Sequence, residues 1–140
     1  EKFVEEKIEY TIESKSVVVN QPDTSVFDFL SDLNNLEKLM PQDRVENWRS
    51  TETTCRFAIK NLSTIGMKIK EVQSPSKIVL VSDGKNPFDF SLTIHIQKEN
   101  SDSQTYFVFD GDVNMFMSTM VKKPLSNFFD QLADNLPQAI

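Results

Sequence analysis

"PDTSVFDFLSDLNNLEKLMP", residues 22 to 41, is the stretch on which the reading of this chain turns. Asp23 or Thr24 can cap a helix start, and Val26, Phe27, Leu30 and Leu33 follow at helical spacing. The Asn34–Asn35 pair then interrupts that period. Leu36 and Leu39 make one further short turn, and Pro41 closes it. The stretch predicts two short helices in tandem.

Both flanks are patterned as strand. Upstream, KIEYTIESKSVVVN (residues 7 to 20) alternates Ile8, Tyr10 and Ile12, then changes phase to Val17 and Val19. A register flip near Ser14 to Ser16 predicts a bulge or a sharp bend there. Downstream, from Arg44 to Asp112, the period stays close to two. Cys55, Phe57 and Ile59 alternate with Thr54, Arg56 and Ala58; Ile65, Met67 and Ile69 alternate with Gly66, Lys68 and Lys70. Phe88, Phe90, Leu92, Ile94 and Ile96 continue the theme, as do Phe107 and Phe109. The segments RSTETT, KNLST, QSPSK, SDGKNP and KENSDSQ supply turn chemistry between them. Six consecutive strands joined by short turns predict an antiparallel meander, apolar on one face and polar on the other.

The last segment, VNMFMSTMVKKPLSNFFDQLADNL (residues 113 to 136), returns to helical period. Met117, Val121, Leu125, Phe128, Leu132 and Leu136 recur at spacings of three or four, with Lys122, Ser126, Asp130 and Asp134 on or near the other side. A rod of about 33 Å at 1.5 Å per residue is the one element long enough to cover the apolar face of the meander. Pro124 removes a hydrogen bond to the carbonyl of residue 120 and predicts a bend. Met115, Met117 and Met120 load the half before it with adaptable side chains. The predicted fold class is α+β: a seven-stranded curved antiparallel sheet gripping a long C-terminal helix, with two short helices between strands 1 and 2. No linker, repeat or low-complexity run divides the chain, so residues 1–140 are expected to form one domain.

Composition narrows the partners. The 140 residues carry 15 basic and 21 acidic side chains, a formal net charge of −6. Nucleic acid and anionic membranes both call for a positive footprint, so neither is the expected main partner. One cysteine excludes an internal disulfide and a cysteine zinc site, and fits a reducing compartment. The opening EKFVEEKIEY lacks the apolar run of a signal peptide. No apolar run approaches the roughly 18 residues of a membrane span. A cytoplasmic protein without stable membrane insertion is the expectation, its oligomeric state open.

SVVVNQPDTSVFDFLSDLNNLEKLMP, the strand TTCRFAIK and the long closing helix together resemble the helix-grip superfamily. This group includes START-related lipid-transfer domains, polyketide cyclases, coenzyme Q-binding proteins and the birch pollen allergen. The resemblance runs through most of the chain in element order, and VFDFLSDLNNLEKLMP, like that superfamily's pair of short helices, is its most specific piece. It implies a deep apolar cavity between sheet and long helix. It implies no single function, because members transfer lipids, cyclise polyketides, bind hormones or act as co-chaperones.

The candidate cavity wall is Phe57, Ile59, Met67, Ile69, Phe90, Leu92, Phe107 and Phe109, with Met117, Met120 and Val121 from the helix. A closed core calls for the same residues, and periodicity does not separate the two. Trp48 is amphipathic, with one N–H able to hold a ligand's polar end or to pack at the rim. His95, the only histidine, falls on the polar set of its strand; Cys55 falls on the apolar set, where an inert thiol is expected. Asp110 and Asp112 share a face just before the expected helix start, where capping and dipole roles suffice. Arg56 is the charge nearest the cavity strands. There is no catalytic motif, no metal cluster, no glycine-rich phosphate loop and no implied cofactor. The leading expectation is binding or carriage of a small hydrophobic ligand (lipid, fatty acid, isoprenoid or polyketide-like). The rivals are a cyclase or dehydratase, which needs inward ionisable groups in the same cavity, and a protein-interaction module.

Overall fold

The change of phase near Ser14 divides the first strand in two. The computed structural model describes residues 7–140, with side chains for residues 10–112 and 121–140. In it β1 spans Lys7–Glu13 and β2 spans Val17–Val19, and both pair antiparallel with one long strand, β8 (Asp102–Asn114). At the break the Ser14 N–H donates to the Phe107 carbonyl at 2.8 Å. The Ser14 hydroxyl accepts from the Phe107 N–H at 2.9 Å, replacing a backbone carbonyl that the bend carries away.

Two short helices follow, as their sequence predicts: α1 (Asp23–Leu30) and a 3₁₀ helix (Leu33–Leu39). The first is not capped as expected. Pro22 occupies the cap position and makes no side-chain bond, while Asp23 lies in the first turn and accepts from the Thr24 N–H. Asp32 caps the second helix by accepting from the Asn34 N–H at 3.0 Å. The Asn35 side chain donates back to the Phe29 carbonyl at 2.9 Å, so the asparagine pair satisfies the backbone where one helix stops and the next begins.

Strands β3 (Val45–Ser50), β4 (Thr54–Ile59), β5 (Ser63–Gln73), β6 (Lys77–Ser82), β7 (Phe90–Glu99) and β8 then run as a meander. The sheet order is β1-β8-β7-β6-β5-β4-β3, with β2 also on β8, in a curved open sheet. Inward residues follow parity: Cys55, Phe57 and Ile59 on β4, Ile78 and Leu80 on β6, and Phe90, Leu92, Ile94 and Ile96 on β7 are all buried. The closing helix, α2 (Met115–Ala139), spans 25 residues, about 37 Å at 1.5 Å per residue. It buries Val121, Leu125, Phe128, Phe129, Leu132, Ala133 and Leu136 against the sheet and carries Pro124 in its interior. Asn135 fastens it to the 3₁₀ helix by donating to the Leu39 carbonyl at 2.8 Å.

β8 persists to Asn114, so Asp110 and Asp112 are strand residues, and Asp110 accepts from the Thr11 hydroxyl across the β1–β8 pair. Among the described residues no helix is long and apolar enough to cross a membrane. Replacing Ser14 by Ala strands the Phe107 N–H in a buried position. The expected loss is about 1–3 kcal/mol of stability in urea unfolding. An unchanged midpoint would show that the hydroxyl is dispensable at the break.

Candidate functional site

The inner face of the sheet and α2 meet around a cavity of about 20 Å³. Phe57 and Ile59 reach it from β4, Ile65 and Met67 from β5, Leu92 and Phe90 from β7, and Phe109 from β8. Leu125, Phe128, Phe129 and Leu132 cover it from α2, Met40 closes one side, and Phe88 enters from the β6–β7 loop. The described wall exposes no polar area to the cavity. The space suits about one water molecule, and an apolar void of that kind stays dry. A deep hollow was the expectation; the described residues instead enclose a nearly filled interior.

Aromatic rings do the filling, in two stacks. Trp48 lies 5.1 Å from Phe57, and Phe57 lies 6.2 Å from Phe128, each pair within 20° of parallel. Phe90 and Phe109 are 5.5 Å apart at 27°, and Phe109 and Phe129 are 5.3 Å apart at 31°. Phe128 and Phe129, adjacent in sequence, join the stacks edge to face at 73°. Such pairs add about 0.5–1.5 kcal/mol each beyond the area they bury.

Local backbone devices set these rings in place. β3 carries a bulge, with Asn47 and Trp48 both opposite Phe57, and Asn47 takes the left-handed conformation (φ 59°) that asparagine tolerates. The bulge lays the Trp48 indole on the Phe57 ring. Gly111 lets Phe109 and Phe88 settle against the β8 backbone: a Cβ there would stand 2.8 Å from the Phe109 ring and 3.4 Å from the Phe88 ring. Phe88 is delivered by a loop pinned through Asn86. That side chain accepts from the Gly66 N–H at 2.8 Å and donates to the Gly66 and Asp83 carbonyls at 3.1 and 3.0 Å, taking the place of a missing strand residue. The Arg56 guanidinium reaches over the bare Gly66 to donate to the Lys85 and Asp83 carbonyls. Arg56 therefore holds the loop from outside and does not face the cavity.

Six of the predicted wall residues line the cavity: Phe57, Ile59, Met67, Phe90, Leu92 and Phe109. Others stand elsewhere. Trp48 backs Phe57, and its Nε1–H donates to Ser50 Oγ at 2.9 Å, which donates on to Asn34 Oδ1 at 2.7 Å, so this N–H already has its partner. Phe107 and Val121 are buried in the core, and Ile69 is partly buried against it, with a register shift immediately after it. The side chains of Met117 and Met120 lie outside the described residues. Met40, Ile65, Phe88, Leu125, Phe128, Phe129 and Leu132 complete the wall without having been singled out for it. For Leu125, Phe128 and Leu132 the signal was present in the helical period.

Among the described residues, titratable groups keep away from the cavity. His95 stacks on Tyr106 at 4.8 Å on the outer face; partial burial, and then Lys77, lower its pKa, with Glu13 opposing. Glu46 is exposed, and Asp110 is bound to Thr11. The buried Cys55 thiol is pushed up to about 12 by desolvation, which makes it inert at neutral pH.

A curved antiparallel sheet closed by one long C-terminal helix, with two short helices after the first strands, is the helix-grip fold, and this chain has it. A truncated norcoclaurine synthase from Thalictrum flavum superposes with a TM-score of 0.70 at 13% identity, over 98% of this chain and 96% of that one. A START superfamily protein from Mycobacterium smegmatis gives 0.71 at 13% identity, over 91% and 94%. A protein from Thermus thermophilus gives 0.74 at 13% identity, over 93% and 96%. At such identities the likeness is one of fold. Norcoclaurine synthase has also been solved in complex with dopamine and hydroxybenzaldehyde. No family model and no curated protein sequence matches the chain.

Two outcomes follow from this geometry. Phe128→Ala removes the ring that ends one stack and meets the other edge to face, and should cost about 3–5 kcal/mol in urea unfolding; a loss under about 1 kcal/mol would mean the stacks are not what holds α2. For His95 the folded pKa lies below the unfolded value of about 6.5, so its share of stability is complete above that value. That share is lost as pH falls from there through the folded pKa. His95→Gln should flatten the decline in stability on acidification below pH about 6.5, and an unaltered slope would contradict the assignment.

Proposed function

We propose that the chain binds and carries a small hydrophobic molecule (a lipid, fatty acid, isoprenoid or polyketide-like compound) between the sheet and α2. In this reading residues 1–140 form a single cytoplasmic helix-grip domain. The observation that carries it is the cavity wall, which is carbon and sulfur throughout its described lining, beneath a helix with a proline in its interior. Pro124 has no N–H for the carbonyl four residues earlier, so α2 is weakest where it passes from its methionine-rich first turns to its phenylalanine-anchored second half. Small displacements of that first half admit a guest at the expense of ring contacts. Desolvation supplies the affinity: about 25 cal/mol per Å² over a few hundred Å² of ligand surface gives several kcal/mol before ordering costs. A protein of the same fold that takes small organic molecules, norcoclaurine synthase, supports the reading. A cyclase or dehydratase would require a proton-moving group in the chamber, and the described wall has none, which favours binding over chemistry.

Protein isolated from cells and examined by native mass spectrometry should carry a small co-purifying mass. A hydrophobic fluorophore should bind saturably and be displaced by added lipid. Absence of both a bound mass and a saturable site would overturn the proposal.

A further inference from the structure

The outer face of the sheet carries an electrostatic conflict. Arg49 on β3 stands directly opposite Arg56 on β4, and the bare Gly66 on β5 stands next in the same row. Like charges directly across a strand pair repel and cost stability. Among the described residues neither guanidinium meets a carboxylate. Arg56 donates to the Asp83 and Lys85 carbonyls, which do not neutralise it, and the Asp83 carboxylate lies 3.9 Å from Lys68 instead. The two arginines border an open groove of about 290 Å³, which Thr51, Thr54 and Asp83 also line. That is several times the roughly 30 Å³ of one water molecule.

One hydroxyl in the groove has a hydrogen to spare. Thr51 Oγ1 accepts from the Thr53 and Thr54 N–H groups at 3.2 and 3.1 Å, which uses both of its lone pairs. Its own hydrogen then makes the 2.8 Å contact with Thr54 Oγ1, and the Thr54 hydroxyl is left free to donate.

We propose that this groove binds a phosphate monoester, its dianion seated between Arg49 and Arg56 and accepting from Thr54. Charge selects the class. Two guanidinium groups face one another, a phosphate monoester carries about −1.5 to −2 at neutral pH, and a carboxylate would neutralise only one of them. The guanidinium fork also matches phosphate oxygens two at a time. Arg49 is exposed and offers a whole fork, while Arg56 keeps N–H groups beyond the two it gives to carbonyls. Asp83 is the one carboxylate on the groove, and Lys68 offsets it. The site lies on the side of the sheet away from the cavity, so it stands or falls separately from the carrier function.

Titration calorimetry with glycerol 3-phosphate, at neutral pH and fixed ionic strength, should show saturable binding about tenfold or more tighter than that of acetate. Arg49→Gln should weaken it about tenfold or more. Lys98→Gln removes an exposed cation three strands from β4 along the sheet and should leave the affinity within about twofold. Co-sedimentation with phosphatidylcholine vesicles, with and without phosphatidic acid, separates two sources of the group. Retention that needs both phosphatidic acid and Arg49 marks a lipid headgroup; any other result, with glycerol 3-phosphate bound, marks a soluble ester. No saturable binding of glycerol 3-phosphate, equal affinity for acetate, or equal losses in the two variants overturns the site.

Discussion

A curved sheet with one apolar face has to set that face against something, and here the main partner is a single helix. The requirement governs the rest of the architecture. β8 can be long enough to span the sheet only because its other edge is served by two strands, β1 and β2, turned relative to each other at Ser14. The helix lies along the concavity between β1 and the 3₁₀ helix, fastened on one side by the Lys15–Asp134 ion pair at 2.8 Å and on the other by Asn135. Where helix and sheet fail to match in curvature, phenylalanine rings take up the difference.

That solution has a functional side. Rings stacked face to face are rigid plates on two rotatable bonds, able to separate without unravelling the strands that bear them. Among the described residues the interior is nearly full, with about 20 Å³ of void, so in the proposed reading a guest enters by replacing ring contacts. Arg56 and Asn86 keep the Phe88 loop in place from the outer face, and the bulge at Asn47 keeps Trp48 behind Phe57. The hydrogen-bond ladder of α2, by contrast, lacks a donor at Pro124, and the proposed entry of a guest is assigned to that helix.

Much of this could be read from residue order. Alternation on β4, β7 and β8 put the correct side chains inward, and the asparagine pair marked the joint between the two short helices. Parity states which face a residue takes but not where along the strand the covering helix crosses. Phe107 and Phe109 were therefore equivalent on paper, and only Phe109 reaches the cavity. Ile69 kept parity, yet the register shifts directly after it. Phe88 belonged to a turn-rich segment, and its approach depends on Gly111 lacking a side chain, a three-dimensional match with no trace in local pattern. The side chains of Met117 and Met120, expected in the wall, lie outside the described residues, and the described part of the wall on α2 is Leu125, Phe128, Phe129 and Leu132.

The claim at the centre is that a hydrophobic guest lodges between the strands and α2 by parting aromatic rings. A crystal structure of the protein with a fatty acid bound tests it most directly. The account predicts electron density between the inner face of the sheet and α2, with α2 displaced and the sheet unchanged. Density confined to the outer face of the sheet, with α2 still packed against the strands, would contradict it.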